Sequence, residues 1–140
     1  MIDNIAEEVN HGISMLSSKL QIRNLTINYT IDSFVRKNKF QVDSGFFMLT
    51  SRSEITIAAS RISNCRGGNA AVLSYMGRSK VRIINGTLIQ SCFANKGPVI
   101  LSSLSQMLEI ENSTFQNNGQ SDIMLTETDC KIINSKFLAT

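Results

Sequence analysis

The sequence predicts an all-β fold, a parallel β-helix, on three observations. The first is composition: the 140 residues include 17 Ile, 18 Ser and 13 Asn against a single Pro, so β-branched and turn-forming side chains prevail over strong helix formers. The second is an internal repeat. Leu20-Gln-Ile22-Arg-Asn24-Leu-Thr-Ile27, Val81-Arg-Ile83-Ile-Asn85-Gly-Thr-Leu88, Leu108-Glu-Ile110-Glu-Asn112-Ser-Thr-Phe115 and Cys130-Lys-Ile132-Ile-Asn134-Ser-Lys-Phe137 align without gaps, and Ile55-Thr-Ile57-Ala-Ala59-Ser-Arg-Ile62 joins them with Ala59 in the Asn position. The third is a block before each unit, a Gly followed by an apolar run ending in Leu: Gly12 to Leu16, Gly45 to Leu49, Gly68 to Leu73, Gly97 to Leu101 and Gly119 to Leu125. Successive central Ile residues lie 35, 26, 27 and 22 positions apart, which describes a fixed frame with loops of variable length.

Taken in chain order, residues 1–11 read as a partial coil or cap, since Asn10 and Gly12 weigh against a helix there. Gly12 to Leu16 then supplies a short strand. In Leu20 to Ile22 the apolar residues alternate with polar ones and share one strand face, Asn24 marks a turn where a left-handed backbone is tolerated, and Ile27 opens the next inward face. Residues 28–44 interrupt the pattern and read as a protruding loop or hairpin, with Ile31, Val35, Phe40 and Val42 alternating along it. The remaining coils are centred on Ile57, Ile83, Ile110 and Ile132, giving about five in all with that around Ile22. None of these strands is long enough to bury a face alone, and coiling the chain so that the turns stack about 4.8 Å apart solves this. A leucine-rich repeat, the competing solenoid, would place its Asn one position later and follow it with a helical side, where this chain has an apolar strand block.

Stacking sets like over like. Ile22, Ile57, Ile83, Ile110 and Ile132 are expected to form one internal ladder, and Ile27, Ile62, Leu88, Phe115 and Phe137 a second. Asn24, Asn85, Asn112 and Asn134 are expected to stack as an amide ladder, each donating to the next coil. The outward column Gln21, Thr56, Arg82, Glu109, Lys131 ends in alternating charges that suit pairs between neighbouring coils.

With this template the chain resembles the right-handed parallel β-helix repeats of the pectin lyase-like superfamily. It is most similar to repeats of large surface and polymorphic outer-membrane proteins, in which a Gly-led apolar strand alternates with segments such as Asn112-Ser-Thr-Phe115-Gln-Asn-Asn118-Gly119. The resemblance covers roughly residues 12–140 and implies a fold rather than an activity, because that superfamily holds lyases, esterases, hydrolases, adhesins and inert scaffolds. The matching positions are scaffold positions.

The chemistry-bearing residues are few. A net charge of +3 argues against nucleic acid, and no run of 18 apolar residues spans a membrane. Cys65, Cys92 and Cys130 are odd in number and lack CxxC spacing, so buried free thiols are expected in place of a metal site or disulfide framework. His11, the only histidine, sits in a turn. Glu109 and Glu111 share a strand face, but Arg82 and Lys131 are their expected neighbours, which makes an ion-paired surface rather than an acid–base pair. No cofactor site is expected.

Binding is expected instead in the irregular segment, where Tyr29, Arg36, Lys37 and Lys39 form a basic-aromatic group suited to an acidic glycan or protein surface. Sequons occur at Asn24, Asn28, Asn85 and Asn112; the three on the amide ladder are expected to point into the stack, leaving Asn28 available. Acids at Asp3, Glu7 and Glu8 stand where a signal peptide would carry basic residues. The expected function is a non-catalytic β-helix module of a larger surface or extracellular protein, a scaffold or binding surface whose open ends meet the rest of a longer solenoid or a stacking partner. The alternative is a fragment of a polysaccharide-active enzyme with its catalytic residues on coils elsewhere.

Overall fold

A computed structural model describes residues 2–3, 6–7, 13–28, 47–67, 70–94, 97–119 and 121–138. Its strands follow the repeat. In chain order they are β1 (Ile2–Asp3), β2 (Ala6–Glu7), β3 (Ile13–Leu16), β4 (Lys19–Arg23), β5 (Thr26–Asn28), β6 (Phe47–Thr50), β7 (Glu54–Ala58), β8 (Arg61–Ser63) and β9 (Arg66–Gly67). There follow β10 (Leu73–Tyr75), β11 (Lys80–Ile84), β12 (Leu88–Gln90), β13 (Phe93–Ala94), β14 (Ile100–Ser103), β15 (Met107–Glu111), β16 (Thr114–Gln116), β17 (Ile123–Thr126), β18 (Asp129–Ile133) and β19 (Lys136–Leu138).

Every strand pairs in parallel with its counterpart one repeat away. Sheet A runs β1-β4-β7-β11-β15-β18, sheet B runs β2-β5-β8-β12-β16-β19 and sheet C runs β3-β6-β10-β14-β17, with a short β9-β13 pair beside them. The chain is therefore an all-β parallel β-helix with three faces. A leucine-rich repeat would have one such sheet and a different opposite side. Sheets A and B each hold six strands, one more than the five coils expected, because Ile2 pairs with Ile22 and Ala6 with Thr26 ahead of the first full coil. Residues 29–46, which include most of the expected loop at 28–44, lie outside the described residues. Asn28 itself belongs to β5, pairs with Ser63, and accepts a hydrogen bond at its Oδ1 from Asn64 Nδ2 at 2.7 Å.

The core is a set of columns. Ile22, Ile57, Ile83 and Ile110 are buried one above the other in sheet A, in register with Ile132. The second column differs from expectation at one position: it runs Ile27, Ile62, Ile89, Phe115, Phe137, with Ile89 buried and Leu88 only half-buried. The cause is Gly86. It follows Asn85 with φ +81°, so two successive left-handed residues add one position to that turn, and a one-residue slip exchanges the faces of a strand. Sheet C also departs from the shared-Leu alignment. Met15, Leu49, Tyr75, Ser102 and Leu125 form one column and Phe47, Leu73, Ile100 and Ile123 the other, so Leu73 lies in a different column from Leu49, and Leu16 projects outwards.

The corners between sheets solve a hydrogen-bond problem. Turning the chain requires left-handed residues: Ser17, Arg52, Arg78, Leu104 and Glu127 between sheets C and A, Asn24, Ala59, Asn85, Asn112 and Asn134 between A and B, and Asn64, Ser91 and Asn117 after B. At several of these turns the next residue presents an N–H where the backbone ladder is broken, and a small polar side chain of the next coil accepts it. Ser53 N–H donates to Ser79 Oγ at 3.1 Å, Leu25 N–H to Ser60 Oγ at 3.2 Å, Ser113 N–H to Ser135 Oγ at 3.2 Å and Cys92 N–H to Asn118 Oδ1 at 3.0 Å. The hydroxyls in turn donate to main-chain carbonyls, as Ser79 does to Met76 at 2.8 Å. Among the described residues no buried side-chain nitrogen or oxygen lacks a hydrogen-bond partner.

Candidate binding surface

The four residues expected to bind a ligand, Tyr29, Arg36, Lys37 and Lys39, lie outside the described residues, as does His11. The structure describes the surface of the coils on either side of that segment. The asparagines Asn24, Asn85, Asn112 and Asn134 occupy the same corner in successive units, with φ between +47° and +56° and exposed side chains. Among the described residues no side-chain hydrogen bond joins them; the links between coils at this corner are backbone bonds, such as Asn24 N–H to the Ala58 carbonyl at 3.2 Å, and the buried hydroxyls of Ser60 and Thr87. Asn is placed here for its tolerance of the left-handed backbone. Exposure also removes the steric reason for expecting Asn24, Asn85 and Asn112 to be closed to modification.

Glu109 and Glu111, which share a face of β15, do not form an acid pair. Glu109 Oε2 accepts from Arg82 Nε at 2.9 Å, across the register expected for that column. Glu111 stands opposite Ile133 on β18. Lys19 and Glu54 approach to 3.8 Å in an exposed pair.

Of the three thiols, Cys65 and Cys92 are buried on successive coils and Cys130 is exposed. Cys130 departs from the expected burial because it lies on β18, the last described strand of sheet A, with its inward face uncovered. Burial, reinforced by the Cys92 thiol beside it, pushes the Cys65 thiol well above its ordinary range. Arg66 seals this corner: its guanidinium lies 4.2 Å from the Phe93 ring centroid and Nη1 donates to the carbonyls of Ser91 at 2.8 Å and Cys65 at 3.1 Å. The Cys65 thiol is thus held protonated behind a cation–π cover. Tyr75, buried in sheet C, likewise has its phenol pushed upwards by burial and donates to the Met107 carbonyl at 3.4 Å. Among the described residues no group of three or more His, Cys, Asp or Glu side chains is arranged to hold a metal ion, and no helix is long and apolar enough to cross a membrane.

The feature that sequence reading passed over is how the charge is distributed. Eleven of the 14 Lys and Arg residues fall between Lys19 and Arg82, with only three of the 11 acids. The coils on that side of the chain carry Lys19, Arg23, Arg52, Arg61, Arg66, Arg78, Lys80 and Arg82 against Glu54 among the described residues. From Ile83 onwards the acids prevail, at Glu109, Glu111, Asp122, Glu127 and Asp129. A net charge of +3 conceals this division, and a charge count per coil would have exposed it. A shallow hollow of about 330 Å³ at the A–B corner, lined by Asn24, Thr26, Arg61 and Leu88 among others, opens on the basic coils.

Comparison with known protein families, with characterised proteins and with solved structures gives no match to this chain.

Proposed function

We propose that this chain is a non-catalytic β-helix module, similar to those of the pectin lyase-like superfamily, that serves a larger surface or extracellular protein as a rigid scaffold and binds acidic glycan through its basic coils. The observation that carries the reading is the concentration of eleven cations between Lys19 and Arg82, a span that brackets the basic-aromatic group Tyr29, Arg36, Lys37 and Lys39. Stacked coils hold these cations on a stiff surface. That suits a ligand with repeated negative charge, because the scaffold loses little conformational entropy when the ligand settles.

The test is retention of the chain on an immobilised polyuronate or sulfated glycan in a salt gradient. The reading requires retention that weakens as the Debye length shortens. The substitutions Arg36→Ala, Lys37→Ala and Lys39→Ala together should abolish it while leaving the melting curve unchanged. Retention equal to that of the unsubstituted chain would overturn the assignment.

A further inference from the structure

The corner between sheets C and A carries an ordered sequence of surface chemistry along the helix axis. At one rung stand Arg78 and Lys80, at the next Leu104 and Met107, and at the third Glu127 and Asp129. The register fixes this order: Lys80 pairs with Met107 and Met107 with Asp129, while Arg78 N–H donates to the Leu104 carbonyl at 2.8 Å and Ser103 stands opposite Thr126. The strip thus reads basic, largely apolar, acidic in two columns, with exposed Gln106 between Leu104 and Met107 on the middle rung. Arg78, Leu104, Glu127 and Asp129 are exposed, and Leu104 retains 58% of its surface in water.

The fold accounts for the left-handed backbone at this corner but leaves two properties of the strip's side chains unexplained. Leu104 adopts φ +50°, a left-handed conformation that leucine disfavours and that Asn occupies at the neighbouring corner. An exposed apolar residue held in a disfavoured backbone breaks two local rules at once. Second, the charges do not satisfy each other. Among the described residues neither Arg78 nor Lys80 is ion-paired with Glu127 or Asp129, because the middle rung separates them by two strand spacings, about 10 Å. The hollow between Arg78, Leu104 and Glu127, about 500 Å³, is open to solvent.

We infer that this strip is an interaction surface for a second copy of the same chain, the two packed antiparallel about a two-fold axis that passes between their Leu104–Met107 rungs. The axis lies in the contact plane, across the strip. It leaves each column facing its own copy and reverses the rung order. Arg78 then faces Glu127 of the other copy, Lys80 faces Asp129, and Leu104 and Met107 meet their equivalents and leave water. One arrangement satisfies both charge pairs twice over, as an isologous interface requires. A corner rather than a full face makes the contact. Farther across sheet A the same axis would set Arg82 against Lys131 and Glu109 against Glu109, and Arg82 and Glu109 are already joined to each other at 2.9 Å within one chain. A corner contact is small, so the dimer is of the weak, salt-sensitive kind.

The experiment is sedimentation equilibrium on the 140-residue chain up to about 1 mM, in the range of transient contacts, at about 50 mM and about 500 mM NaCl. The expected result is a monomer–dimer equilibrium whose Kd rises about tenfold or more with the added salt. Arg78→Glu with Lys80→Glu should raise Kd by a similar factor, and so should Glu127→Lys with Asp129→Lys; all four together, which reverse the strip and restore its complementarity, should recover the dimer. Leu104→Asn should weaken the dimer while holding or raising the monomer's Tm, since Asn suits the left-handed position. A chain that stays monomeric throughout, a dimer indifferent to both reversals, or a fourfold swap that fails to recover association would each overturn the assignment.

Discussion

Two glycines show how single positions hold the corners. Gly77 and Gly86 both have positive φ, +71° and +81°, yet their surroundings differ. A Cβ built on Gly86 meets nothing within 4 Å, whereas one on Gly77 would lie 2.7 Å from the backbone nitrogen of Ser51 on the preceding coil. Gly86→Ala should therefore cost only the left-handed penalty, about 1–2 kcal/mol. Gly77→Ala must in addition push two coils apart, because the clash is with main chain and no rotamer relieves it. Urea unfolding of the two variants should rank Gly77→Ala as clearly the more destabilised; equal midpoints would mean that the corner between sheets C and A opens freely. The same residue-scale logic explains why Asn recurs in the A–B corner while Ala59 replaces it once: the position demands a backbone conformation, and the side chain itself points to solvent.

At the scale of the element, corner hydroxyls take up N–H groups that the turns remove from the strand ladder, as at Leu25, Ser53 and Ser113. Ser79 is wholly buried; it accepts from Ser53 N–H and donates to the Met76 carbonyl. Ser79→Ala should cost about 1–3 kcal/mol, the penalty of stranding a buried donor and a carbonyl together, and chemical denaturation would measure it. A loss below a few tenths of a kcal/mol would show that water replaces the hydroxyl. The strand pattern and the first Ile ladder were legible in the sequence because burial on a three-sided coil writes period-two alternation directly into the chain. The hydroxyl columns were legible in principle, as a small polar residue following each turn residue in Arg52-Ser53, Arg78-Ser79, Ala59-Ser60, Asn112-Ser113 and Asn134-Ser135. They were overlooked because Ser reads as a generic turn former. The Leu88-for-Ile89 error has a different source: alignment without gaps hides a residue added inside a turn, and only pairing register shows which of two adjacent apolar side chains faces inwards. The basic coils were hidden by summing charge over the whole chain, whereas binding responds to charge per unit of surface.

Over the whole molecule, stability is distributed along one axis, because each rung touches only the rungs on either side of it. Ile57, Ile83 and Ile110 lie between neighbours and are fully buried. Along the same column Ile132 is 47% exposed, and Phe137, although its ring stacks on Phe115 with centroids 5.0 Å apart, is 38% exposed on its other side. Rungs with one neighbour forgo half of the interfacial burial that holds the inner ones, at about 25 cal/mol per Å² of apolar surface left in water. In the isolated 140-residue chain, local opening should therefore begin in β17, β18 and β19 and progress inwards. Hydrogen exchange under native conditions should find the amides that bond β18 to β15 exchanging at least about tenfold faster than those that bond β11 to β7, a difference of about 1.4 kcal/mol in opening free energy. Protection that is uniform from β7 to β18 would mean that the solenoid opens only as a whole, and that the coupling between rungs exceeds the difference in burial between them.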